Sequence, residues 1–308
     1  WARRVIRQVD PQGAVGAEGS VPGDMELSIQ GLEFWGPYRR VDQNTLLRSL
    51  APRELVRGNW FGGYNSGRRD LPGLPRFLWE SLLDGSNLLE VYCSYTCENF
   101  YNTDLTWAYW MDSFLPDLKE ITEGLGQLLA RSEHDCDAVA VLHSQPSVHF
   151  EQLSQPFGDY TRAMTGALRL LEDLSFVPYN LTSRQLEAGL LNQRKPTVLA
   201  LPHAVCLSDK EAAELERYVR EGGVLIADVR PGIAMGNCAL RGKGALDGLF
   251  GVTREAGPGK AVTSAATLSG SAGRYHMRDG STMSAASVDA SVKLADGTCV
   301  FVDGPEET

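Results

Sequence analysis

The chain has 308 residues, a net charge of −10 and an apolar fraction of 43%. The length exceeds one ordinary core and points to two or three domains, and the acidic balance argues against nucleic acid as the main partner. No apolar run approaches the about 20 residues needed to cross a bilayer, so no membrane partner is expected.

Taken in order, Ala2–Val9 reads as the end of a helix broken at Asp10-Pro11. Ala14–Gly19 follows as a short strand ending in an acid, Glu18, and Gly31–Tyr38 as a second strand running into an aromatic loop. A short helix is expected over Thr45–Leu50, a third strand over Leu55–Tyr64, a helix over Leu74–Asp84 and a fourth strand over Asn87–Tyr95. A long helix, Phe114–Arg131, leads onward. Four strand–helix units in this length make half of an eight-unit barrel, for which about 250 residues is typical. A half barrel has open edges, so residues before Trp1 are expected to supply the rest. A barrel keeps its site in the loops at the carboxyl ends of its strands. Trp35, Tyr38, Asn59, Trp60, Tyr64 and Tyr95 are therefore expected to bind a substrate there. Their aromatic rings suit stacking on a sugar; the plain alternative is packing beneath loops.

Residues 137–231 spell a cleaner α/β unit. Asp137–His143, Pro196–Leu201 and Gly223–Val229 have the apolar, β-branched character of buried strands, and Tyr160–Leu174 and Ser208–Glu221 read as helices between them. Ser208 with Glu211 three residues on forms a capping box, Gly222-Gly223 ends the helix, and Ala212, Leu215 and Val219 give one apolar stripe. The turn after the first of these strands, His143–Phe150, lacks a Gly-x-Gly-x-x-Gly pattern, so no cofactor is expected; His143 and His149 are read as facing an interface or a loop. Cys206 is flanked by Val205 and Leu207 rather than glycines and is read as a buried, inert thiol. Cys93, Cys97, His134 and Cys136 do not have a recognised zinc spacing, and no metal site is assigned. The sparse cysteines fit a reducing, cytoplasmic setting. From about residue 257 the composition turns to Gly, Ala, Ser and Thr. Short strands are expected at Val262–Leu268, Arg274–Met277, Ala290–Leu294 and Thr298–Val302, with a hairpin turn at Asp296-Gly297.

The order of parts resembles the family-42 glycoside hydrolases, β-galactosidases with a trimerisation domain. Val9-Asp10-Pro11, Gly31–Tyr38, Asn59–Gly67 with Pro72-Gly73 and Trp79, and Gly85-Ser86-Asn87 are similar to the last four barrel strands of that family. Ala138–His143, Tyr160–Leu174, Thr197–Pro202, Ser208–Gly223 and Val224–Pro231 are similar to its middle domain, and Leu246–Val252 to its closing segment. The resemblance implies the C-terminal half of a (β/α)8 barrel over residues 1–133, a flavodoxin-like domain of the class I glutamine amidotransferase type over 134–256 and a β-rich segment over 257–308. It implies a carbohydrate substrate, a homotrimer and retaining cleavage of β-galactosides by two carboxyl groups about 5–5.5 Å apart. The family's acid/base would lie before Trp1. Its nucleophile ends the seventh strand, where this sequence reads Val56–Tyr64 without an acid. Glu18 is then the catalytic candidate, ahead of Glu33, with a solvated loop acid as the plain alternative. The chain is read as a piece of a longer hydrolase, inactive by itself; the alternative is a carbohydrate-binding or assembly protein without catalytic carboxylates.

Overall fold

A computed structural model describes residues 1–19, 23–62, 73–92, 102, 104–109, 111–153, 159–228 and 230–253, and the strands at 275–276, 282–283, 288–294 and 299–303. The chain divides into two compact units, Trp1–Asp135 and Cys136–Thr308.

The first unit runs α1 (Ala2–Val9), β1 (Gly16–Glu18), α2 (Met25–Ser28) with a 3-10 turn Ile29–Gly31, β2 (Phe34–Gly36), α3 (Val41–Leu50), β3 (Val56–Gly62), α4 (Gly73–Leu83), β4 (Leu88–Tyr92), α5 (Met111–Glu120) and α6 (Gly126–Arg131). Its four strands form one parallel sheet in chain order, β1-β2-β3-β4. Because side chains alternate along a strand, each strand has a helix-facing and an opposite parity. Trp35 and Leu55 pack with Ile29 and Leu47 from the helical layer, and Ala17 joins them. Leu89 packs on Leu78, Met111 and Phe114. The expected long helix is present from Met111 to Arg131, but it passes through a π turn, Ile121–Leu125, where Gly124 takes φ 152°.

The second unit runs β5 (Val139–His143), α7 (Gln145–Leu153), α8 (Tyr160–Asp173), β6 (Tyr179–Thr182), α9 (Ser183–Glu187), α10 (Leu190–Arg194), β7 (Val198–Leu201), α11 (Asp209–Arg220) and β8 (Val224–Ala227). Its sheet is also parallel, in the order β6-β5-β7-β8. The core is aliphatic: Leu142, Leu181 and Leu199 from the strands meet Leu186, Leu191 and Leu215 from the helices, each fully buried. Each such side chain contributes about 1.5–3 kcal/mol by leaving water. The capping box of α11 forms as expected. Ser208 Oγ accepts from the Glu211 N–H at 3.1 Å, and a Glu211 carboxylate oxygen accepts from the Ser208 N–H at 2.7 Å. Gly222, at φ 99°, provides the left-handed turn after it.

The sequence pattern left α7, β6, α9 and α10 out. Strand β6 is four residues long and carries a buried Asn180, whose Nδ2 donates to Val141 O at 3.1 Å, so it lacks a continuous apolar run. Beyond these, α12 (Asp247–Phe250) leads into β9 (Val252–Thr253), and β10 (Tyr275–His276) pairs antiparallel with β11 (Thr282–Met283). Strand β12 (Val288–Leu294) pairs antiparallel with both β13 (Cys299–Asp303) and β9. The expected strand at Val262–Leu268 and the turn at Asp296-Gly297 lie outside the described residues.

Candidate functional site

Alternation along the first sheet decides which residues share a surface. The helix-facing parity takes Ala17, Trp35, Leu55, Asn59 and Leu89; the opposite parity takes Gly16, Glu18, Phe34, Gly36, Gly58 and Glu90. Two expected substrate-binding residues fall on the first set, and both readings need correction. Trp35 is wholly buried, packed in the helical layer, with its indole N–H donating to Gly19 O at 2.9 Å. It has no open ring face for a sugar. Asn59 is also fully buried and exchanges two side-chain hydrogen bonds of 3.0 Å with Asn44 on α3. Asn44 in turn donates to Asp84 at 2.9 Å. Asn59 therefore ties strand to helix.

The opposite face carries chemistry at the carboxyl ends of the strands. Glu18 ends β1, is exposed, and pairs in register with Gly36, the last residue of β2. The Glu90 side chain reaches over from β4 to the same place: a Cβ on Gly36 would collide with the Glu90 carboxyl. Glu90 Oε2 is buried without a hydrogen-bond partner. Burial and then the charge of Glu18 hold its carboxyl above the usual carboxylate range. The Glu90 carboxyl thus lies against Gly36, the register partner of Glu18, although the Glu90 backbone is level with Trp60. Tyr38, partly exposed, lays its ring over Gly19 just beyond it. Trp60 pairs in backbone register with Glu90; its side chain, Tyr64 and Tyr95 lie outside the described residues.

Glu33 is placed elsewhere. It precedes β2, is bound by Arg3 at 3.3 Å and by Arg7, and accepts from the Val15 N–H at 2.9 Å. That backbone hydrogen bond and the two arginines hold it below the usual range, so it works as an ionised tether for α1. A cleft of about 780 Å³ is lined by Arg3, Glu33, Phe34, Glu54, Val56 and Leu88 among others. It opens at the amino ends of the strands, away from Glu18, and only Glu90 belongs to both places. Sequence reading passed over Glu90, although an acid inside the run Leu88-Leu89-Glu90-Val91 is itself a signal that one strand face is not a simple core.

In the second unit Cys206 is fully buried; its N–H donates to Ser147 Oγ at 3.0 Å and its carbonyl accepts from Ser144 Oγ at 3.1 Å. Burial and the neighbouring Cys238 raise the thiol far above its ordinary range. It is an inert thiol, as expected. Near the carboxyl ends of β5 and β7, Tyr160 Oη lies 3.1 Å from His143 Nδ1, and the Tyr160 ring meets those of His143 and His203 edge-on at 5.7 and 6.2 Å. His203 adopts φ 47°, its N–H donates to the Asp228 carboxylate, and burial lowers its imidazole to about 4. Among the described residues no group of three His, Cys, Asp or Glu side chains could hold a metal ion, and no helix is long and apolar enough to cross a membrane. Cys93 and Cys97 lie outside the described residues.

Compared with models of protein families and with curated proteins, the sequence matches none. Solved structures do match. A β-galactosidase from Rahnella sp. R3 aligns with 99% of this chain and 53% of its own, at 12% identity and a TM-score of 0.66. One from Bacillus circulans sp. alkalophilus aligns with 99% of this chain and 52% of its own, at 13% identity and a TM-score of 0.65. The GH42 β-galactosidase Gan42B aligns with 97% of this chain and 49% of its own, at 15% identity and a TM-score of 0.62. The chain therefore shares the fold of GH42 β-galactosidases along nearly its whole length, and it spans about half the length of these structures.

Proposed function

We propose that this chain is the C-terminal part of the barrel, with the following assembly domain, of a β-galactosidase-like glycoside hydrolase. The carrying observation is that one alignment with β-galactosidases runs through both units. Two further features support it. Chain-order pairing of β1 to β4 is the pairing that half of a (β/α)8 barrel requires, and the order β6-β5-β7-β8 is that of flavodoxin-like sheets. The substrate would be a β-galactoside or related sugar, held at the carboxyl ends of β1–β4 with Tyr38, Trp60, Tyr64 and Tyr95 as stacking surfaces. Glu18 is the catalytic candidate, being an exposed carboxyl at a strand's carboxyl end. The second unit would serve oligomer assembly as a homotrimer, in the cytoplasm.

The test is turnover of a chromogenic β-galactoside. The protein that contains this chain with a whole barrel should release the chromophore, and the 308-residue chain alone should not. Glu18→Gln in the whole protein should lower kcat by at least about 100-fold; unchanged turnover removes Glu18 from the reaction. The rival, a carbohydrate-binding protein without catalysis, is favoured by the acid-free strand Val56–Gly62. It predicts galactoside binding by calorimetry with no release of chromophore from the whole protein.

A further inference from the structure

We propose that the loop leading into α5 is a second saccharide subsite of this protein, with the rings of Trp107 and Tyr109 as its floor. The inference rests on the hydrolase reading above and adds a binding surface to it. The sequence sets three large apolar side chains, Leu105, Trp107 and Tyr109, at every second position, and the structure leaves them 80%, 50% and 67% exposed. Single exposed apolar residues are ordinary, but three within five positions form a patch of the kind that marks a contact surface. Ala108, between the two rings, is buried in one core cluster with Met111 and Phe114 of α5. The segment is thus anchored at its centre while the rings on either side stay in water. Its polar groups hold the loop in shape. Asn102 Nδ2 donates to Thr106 Oγ1 and to Trp107 O, both at 3.0 Å. Asp104 Oδ1 accepts from the Thr106 N–H at 3.0 Å and from the Thr106 hydroxyl at 2.6 Å. The Asn102 N–H donates to Thr106 O at 2.8 Å and the Leu105 N–H to Asn102 O at 3.0 Å. Leu105 sits in the left-handed region at φ 65°, which a leucine keeps only where its surroundings impose it. A ligand therefore meets rings on a preformed loop, with little left to order on binding.

Position and chemistry identify the ligand. The loop follows β4 and enters α5, and connections that leave the carboxyl ends of parallel strands lie at one end of the sheet. It therefore shares that end with Glu18 and Tyr38. Strand β4 is at the opposite edge of the sheet from β1, with β2 and β3 between them, so a sugar on Trp107 is a different unit of the substrate from one held at Glu18. A pyranose has an apolar C–H face that suits an aromatic ring, and hydroxyls around its edge that suit a carboxylate. Asp104 supplies that carboxylate: it is exposed, and side-chain and backbone hydrogen bonds from Thr106 hold it below the usual carboxylate range. The occupant is a saccharide of two or more β-linked units, since a single galactoside reaches only one of the two places.

The experiment uses the whole protein and two substrates, a chromogenic monogalactoside and a β-linked galactotriose. The readout is the ratio of kcat/KM on the trisaccharide to kcat/KM on the monogalactoside, which a merely structural change does not move. Trp107→Ala should lower that ratio about tenfold through KM on the trisaccharide, and Tyr109→Ala by a smaller factor. Trp107→Phe, which keeps a ring, should recover most of the loss. If Trp107→Ala leaves the ratio within twofold of the wild type, whether both activities hold or fall together, the subsite is overturned and the hydrolase reading survives. If the ratio holds while sedimentation shows a smaller oligomer, the rings form a subunit contact instead and the subsite is overturned. If the wild type turns over neither substrate, the hydrolase reading falls, and calorimetry with galactotriose decides the subsite alone. Binding that Trp107→Ala abolishes sustains it, and binding that is absent, or unchanged in the variant, overturns it.

Discussion

The two parallel sheets are built from the same kind of strand and spend their faces differently. In the second unit β5 contributes Val139, Ala140, Val141 and Leu142, all buried, so both faces of its central strand are packed. In the first unit the helix-facing parity is apolar apart from Arg57 and Asn59, while the opposite parity holds Gly16, Gly36, Gly58, Glu18 and Glu90 beside Phe34, Val56 and Leu88. A packed barrel interior draws on branched aliphatic side chains. Glycine beside acid gives up that packing to place a carboxyl. The contrast separates scaffold from site without reference to any relative: the central strand of one sheet is packed on both faces, and the other sheet carries a partly buried acid at a cost in stability.

The largest effects should come from the scaffold. Leu142→Ala removes a wholly buried side chain from the central strand of the second sheet and should cost about 2–5 kcal/mol. Amide hydrogen exchange of β5–β8 reads this unit directly. All six tryptophans precede residue 136, so tryptophan fluorescence reports on the first unit alone and should change little. A fluorescence transition that moved as far as the exchange would mean that the two units unfold as one, and the comparison would lose its basis.

Next in size is a pH effect. The His203 imidazole is held neutral by burial, down to about 4, against an ordinary value near 6.5. Unfolding lets it take up a proton between those values. The stability it supports is therefore whole above about pH 6.5 and is lost as pH falls towards 4. His203→Asn, which tolerates φ 47°, should flatten that acid limb by on the order of 2 kcal/mol between pH 7 and pH 4. Denaturant melts of the second unit at both pH values check it, and an unchanged slope would place the acid sensitivity elsewhere.

Removing the cap of α11 should cost less. Ser208→Ala deletes an Oγ that accepts from the Glu211 N–H at 3.1 Å and donates to Glu187 at 2.6 Å, for a loss of about 1 kcal/mol. This element was also the most legible in the sequence, because a capping box, an apolar stripe and a glycine stop are all local signals. The apolar strands β5, β7 and β8 were legible for the same reason. Strand β6 was not: Asn180 breaks its apolar run, and its partners lie in a distant strand. The capping box of Thr182 and Gln185 was a usable marker that went unread. The site was less legible than the fold. The positions of the strands in the first sheet could be found, but which parity met the helices could not, since a shift of one residue exchanges the two faces. That single unknown put Trp35 and Asn59 at the mouth and left Glu90 unnoticed.

The smallest effect bears most directly on the contrast between the sheets. If the opposite face of the first sheet gives up stability to hold an acid, neutralising that acid should stabilise the unit. Burial and then the charge of Glu18 hold the Glu90 carboxyl above its ordinary range, so its proton is bound more tightly in the folded chain than in the unfolded one. A carboxyl shifted upward costs stability as pH rises through its folded value, and the cost vanishes once both states are protonated. Glu90→Gln keeps the shape and removes the charge. Tryptophan-monitored melts of the variant should show a gain of no more than about 0.5 kcal/mol at pH 8, since partial solvent exposure screens much of the effect, shrinking to nothing near pH 3. An equal gain at both ends would trace the effect to packing instead. A loss at pH 8 would make Glu90 a stabilising ion, and the first sheet would then be scaffold like the second.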